Sequence, residues 1–124
     1  MMGVSLTIMG IRERAADLAR RQEGGAVGSI LAALPMPHCH DLLERQARPL
    51  GIEVGCLPSM GDDEPTFCRD GYDKPLTFVT TDELLNALRK RRDQQPFVPA
   101  LLAYLEAYQA EYGDCWDVWV LYWD

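Results

Sequence analysis

The sequence predicts an α+β fold with a helical N-terminal half, followed by a small, mainly antiparallel sheet packed against two further helices. Three observations predict it. Apolar residues recur at helical spacing over 11–22 and 38–48, and alternating or β-branched runs begin only after residue 51. The last third then carries an apolar stripe over 98–112 and an aromatic, strand-like close. With 124 residues, of which 48% are hydrophobic, the chain has enough apolar material for one core and is expected to form a single domain over 1–124.

The first helix is expected over 11–22, where Ile11, Ala15, Leu18 and Ala19 share a face and Gly24 and Gly25 end it. The run 4–9 (VSLTIM) reads as either a short strand or that helix's first turn, and Gly10 weakens its continuity; helix is the preferred reading. A helical turn is expected at 29–34 (SILAAL), stopped by Pro35, and another helix at 38–48 behind Pro37. Strands are expected near 52–57 and 75–80, separated by a Gly-, Pro- and Asp-rich loop at 58–73 with room for a short strand at 66–69. Thr80 or Thr81 caps a helix near 82–92, with Asp82 and Glu83 in its first turn and basic residues at its end. A second helix follows near 98–112, capped by Gly113. The segment 115–123 closes the chain as a strand. It places Trp116, Val118, Val120 and Tyr122 on one face and Asp117, Trp119, Leu121 and Trp123 on the other. Large apolar groups on both faces mean either a central strand or one that covers something outside the domain.

The formal net charge is −7, and it is unevenly spread: residues 1–50 hold six Arg against five acids, and residues 51–124 hold six Lys or Arg against fourteen acids. After Arg92 there is no basic residue, whereas Asp93, Glu106, Glu111, Asp114, Asp117 and Asp124 supply six negative charges. Such a field repels phosphate backbones and anionic lipid and attracts cationic partners. Direct nucleic-acid binding is therefore disfavoured, and the basic run 89–92 is better explained as compensation of a helix dipole. No apolar run reaches the ~20 residues of a membrane span, and the N-terminus lacks the pattern of an export signal. None of Cys39, Cys56, Cys68 and Cys115 lies in a CxxC pair, so reduced thiols in the cytoplasm are expected.

No catalytic motif is present, and no cofactor is expected. His38, Cys39 and His40 are adjacent and include both histidines, but residues i and i+2 of a helix do not converge on one ion, so ordinary helix-start residues are the preferred reading over a metal site. The glycine-rich run 24–29 lacks the preceding strand and the GK[ST] ending of a phosphate loop. Two acidic groups remain as partner-binding candidates. One is Asp62, Asp63 and Glu64 with Asp70 and Asp73 in the long loop. The other is Asp114, Asp117 and Asp124, interleaved with Trp119 and Trp123. The expected function is protein–protein binding, of the inhibitor, immunity or anti-defence kind, in which an acidic surface masks a basic, nuclease-like partner. The alternatives are a small metal- or thiol-dependent enzyme using His38, Cys39 and His40, and an accessory subunit that forms homo-oligomers.

Overall fold

A computed structural model of the chain describes residues 5–18, 27–36, 40–55, 66–90 and 97–124. Its elements run β1 (Leu6–Ile11), α1 (Ala15–Leu18), β2 (Val27–Pro35), α2 (His40–Gln46), β3 (Arg48–Pro49), β4 (Glu53–Gly55), β5 (Thr66–Phe67), β6 (Thr77–Thr80), α3 (Thr81–Lys90), α4 (Val98–Tyr112) and β7 (Val118–Trp123). The strands form one seven-stranded mixed sheet in the order β3-β6-β7-β1-β2-β4-β5, with β2 and β4 parallel and every other pair antiparallel.

The expected helical N-terminal half is overturned: strands dominate it, and the sheet is larger than the small one expected. Of the run 4–9, residues 6–9 belong to β1 and not to a helix, and β1 is covered on both faces. Leu6 and Ile8 pack against the helices while Met9 and Ile11 pack into the opposite core. A strand buried on both faces loses its polar alternation and reads like a buried helical turn. The 29–34 run lies inside β2. Its alanines favour helix intrinsically, yet pairing with β1 decides the outcome, including a register shift between Gly10 and Ile11. Of the 11–22 helix only Ala15–Leu18 is helical among the described residues, since Ile11 is taken by β1.

Gly10 marks close packing. A methyl there would lie 2.9 Å from the Tyr108 hydroxyl and 3.0 Å from the Trp119 ring, so α4 can sit on β1 only where no side chain intervenes.

The sheet curls. Leu76 N–H donates to the Cys68 carbonyl (3.2 Å), and Arg69 bridges Pro75, so the β5 end folds back onto β6. The β3–β4 link then crosses between separate parts of the sheet within three residues, using Gly51 in the left-handed region (φ 77°) that suits glycine. Two cores result. One lies between the sheet and α2, α3 and α4, centred on Leu84, Leu88, Leu105 and Trp119. The other fills the inside of the curl with Met9, Ile11, Phe78, Val118 and Val120.

β7 is thus covered on both sides, the first of the two options its sequence allowed. At its start α3 is anchored by a reciprocal capping box: Thr80 N–H donates to Glu83 Oε1 (2.9 Å), and Glu83 N–H donates to Thr80 Oγ1 (3.3 Å). Trp119 Nε1 donates to Thr81 Oγ1 (3.1 Å), which ties this helix to the sheet.

Candidate functional site

The turn between β5 and β6 is built around one carboxylate. Asp70 is buried, and its Oδ1 accepts from Tyr72 N–H (2.9 Å) and Lys74 N–H (3.1 Å), while its own N–H donates to the Lys74 carbonyl (2.9 Å). Asp73 takes a left-handed conformation (φ 60°), which an aspartate tolerates better than most residues, and its carbonyl accepts from Arg69 (2.9 Å). On one flank the turn is fastened to the C-terminus. Gly71 N–H donates to the Trp123 carbonyl (2.8 Å), and the Tyr72 hydroxyl donates to the Asp124 carbonyl (3.3 Å). Asp124 is itself paired through its backbone with Ser5, each N–H donating to the other's carbonyl at 2.9 Å.

This fastening leaves Tyr72 50% exposed next to Asp73, whose exposed carboxylate pairs with Arg69 (3.8 Å), and bonded to the backbone of the exposed Asp124. On the other flank lies an open groove of about 530 Å³, lined by Pro49, Gly51, Ile52, Glu53, Cys68, Arg69, Pro75 and Leu76. Its walls are mainly apolar, with one cation and one anion at the rim, which suits an inserted apolar side chain. Arg69 belongs to both features, since it lines the groove and grips Asp73.

The sequence-predicted residues separate into groups. Asp70, Asp73, Trp123 and Asp124 are brought together at the end of β7. Trp123 is half-buried there against the helix-covered core. Asp114 and Asp117 lie at the opposite end, a strand length of roughly 17–20 Å away. Asp114 is exposed in the turn after α4. Asp117 is partly buried and occupied: its Oδ1 accepts from Ala15 N–H (2.8 Å), its carbonyl accepts from Thr81 N–H (3.0 Å), and its N–H donates to the Glu13 carbonyl (3.1 Å). Trp119 is 0% exposed, 4.7 Å from the Tyr108 ring. Asp62, Asp63, Glu64, His38 and Cys39 lie outside the described residues, and His40 opens α2.

Among the described residues no three His, Cys, Asp or Glu side chains gather to hold a metal, and no helix is long and apolar enough to cross a membrane. Cys68 and Cys115 are free and exposed.

Two features escaped the sequence reading. Tyr72 sits in the sequence RDGYDK, where Asp-Gly between two extended runs signals a tight turn and could have marked an aromatic displayed at a hairpin tip. Tyr108 carries a buried hydroxyl with no hydrogen-bond partner among the described residues. Burial first, then neighbouring Tyr104, Tyr112 and Asp117, push its pKa up to about 12, so the phenol is neutral throughout the physiological range. Comparison with known proteins returned no matching family model, curated protein or solved structure.

Proposed function

We propose that this chain works by binding another protein, as an inhibitor of the immunity or anti-defence kind that covers a basic, nuclease-like surface. The observation that carries the reading is Tyr72, an exposed aromatic immobilised by Asp70 and the C-terminus and near Asp73 and Asp124. Aromatic side chains are favoured anchors in interfaces, and one held in place before binding loses less freedom on association. The surrounding carboxylates, in a chain of net charge −7, would accelerate encounter with a cationic partner. The neighbouring groove offers a receptacle for an apolar group from the same partner. Cytoplasmic action is part of this proposal, as nuclease-like targets of such inhibitors act on intracellular nucleic acid.

The test is co-purification from the native host at low salt, comparing the wild-type chain with Tyr72→Ser and with the double variant Asp73→Asn, Asp124→Lys. A basic protein held by the wild type and reduced or lost in both variants supports the proposal. Failure to recover any basic protein, or equal recovery by all three chains, ends it.

A further inference from the structure

A strand edge with no neighbour offers unpaired backbone groups to another strand, so folded proteins keep such edges short or interrupt them with proline. The two terminal strands of this sheet follow that pattern: β3 and β5 are two residues long each, and β3 ends on Pro49. The longest strand does not. β2 runs nine residues and pairs with β1 over 30–35, yet β4 follows it only over 27–29, so among the described residues no strand lies beside the far edge of 30–35. Burial agrees with an open edge. Ile30, Leu31, Ala32 and Leu34 are half-covered and Ala33 and Pro35 are exposed, while Ile8, Met9 and Ile11 across the ladder on β1 are buried.

The direction of the backbone identifies the free groups. Met36 N–H donates to the Leu6 carbonyl (2.9 Å), and successive residues of a strand turn their peptide groups to opposite sides, so Met36, Leu34 and Ala32 turn theirs toward β1 and Pro35 and Ala33 turn theirs away. Pro35 fits that alternation, because a residue without an N–H is tolerated where that side of the strand meets no ladder. The open edge therefore presents the Ala33 N–H, the Ala33 carbonyl and the Pro35 carbonyl. Charge decides the occupant. Residues 24–40 include no Asp, Glu, Lys or Arg, so a basic protein finds no counter-ion there, whereas a chain of net charge −7 can meet its own copy at this stretch without repulsion. We infer that β2 pairs with β2 of a second copy of this chain, antiparallel about a two-fold axis at Ala33. In that register the two Ala33 residues exchange both N–H···O bonds, the Pro35 carbonyl meets Leu31 of the second copy, and Ala32 lies opposite the second copy's Leu34, small against large on the helix-covered side. The missing N–H of Pro35 ends the ladder. This surface is separate from Tyr72 and holds whether or not the chain binds a basic protein.

Analytical ultracentrifugation of the full, untagged chain over a concentration series tests this. The expected result is a monomer–dimer equilibrium that Tyr72→Ser leaves unchanged. Ala33→Lys sets two like charges against each other at the axis and should weaken the dimer about tenfold or more, with part of the loss recovered in high salt. Ala33→Val, a better strand former, should tighten it. Ala33 is exposed, and an unchanged melting temperature of the dilute chain will show that each variant folds. Should the Lys variant fail to fold, the direction of the Val variant decides, since a folding defect does not tighten a dimer. A monomer at every concentration, or a dimer indifferent to the Ala33 substitutions, overturns the inference and leaves the proposed function standing.

Discussion

The two ends of β7 are made from similar residues, aspartates beside tryptophans, and use them differently. At the Val118 end, Asp117 is engaged through its carboxylate, carbonyl and N–H, joining α1, Glu13 and α3 to the sheet, and Trp119 is sealed between Tyr108 and Thr81. At the Trp123 end, Asp70 does the equivalent structural work for the turn, and Asp73, paired with Arg69, and Asp124 stay exposed near Tyr72. The difference teaches that an acidic residue is available to a partner only when nearby backbone N–H groups have no need of it. One end is a joint, the other a surface.

Substitutions can break this contrast, and the largest effect is expected at the joint. Trp119→Ala removes a fully buried indole, its tilted ring contact with Tyr108 and its hydrogen bond to Thr81, and should cost about 3–5 kcal/mol in urea unfolding. Asp117→Ala and Asp70→Ala should each cost about 1–2 kcal/mol, because each strips acceptors from backbone N–H groups. They should part company in binding: Asp117→Ala leaves partner affinity unchanged, whereas Asp70→Ala loosens Tyr72 and weakens it.

Tyr108→Phe sharpens the contrast from the core side. The hydroxyl has no partner among the described residues, so its removal should change stability at pH 7 by no more than about 1 kcal/mol. The alkaline behaviour should differ more clearly. A phenol with a pKa of about 10 unfolded and about 12 folded contributes stability that is complete below pH 10 and is lost as pH rises through 12. The wild type should therefore lose stability more steeply over that window than the Phe variant, measured by urea titration at successive pH values. The smallest stability effect belongs to the surface: Asp73→Asn, which keeps a residue suited to the left-handed conformation, with Asp124→Lys should stay within about 0.5 kcal/mol of the wild type while weakening capture of a basic partner.

The sequence was legible where one face of an element is wet. The helix Thr81–Lys90 keeps its capping Thr80 and Glu83 and its polar face, and Val98–Tyr112 spans its apolar stripe; β7, although covered on both faces, was legible for a different reason, its density of aromatic and β-branched residues. Legibility failed where both faces are covered, as in β1, and where alanine hides a strand, as in β2. Gly10, read as a weakness, is a packing requirement imposed by Tyr108 and Trp119, residues about a hundred positions away, and no local window contains that information. The candidate site was half legible for a related reason. Its aspartates stand out in the composition, but which of them hold the backbone depends on the curl that brings the turn to Trp123 and Asp124.

The most direct test is the affinity of the purified basic partner for the wild type, for Tyr72→Ser and for Asp117→Asn, measured by calorimetry at two salt concentrations. Tyr72→Ser should lower affinity about a hundredfold with an unchanged melting temperature, and Asp117→Asn should lower the melting temperature with affinity intact. Full affinity in Tyr72→Ser together with loss in Asp117→Asn would contradict the assignment of joint and surface to the two ends of β7.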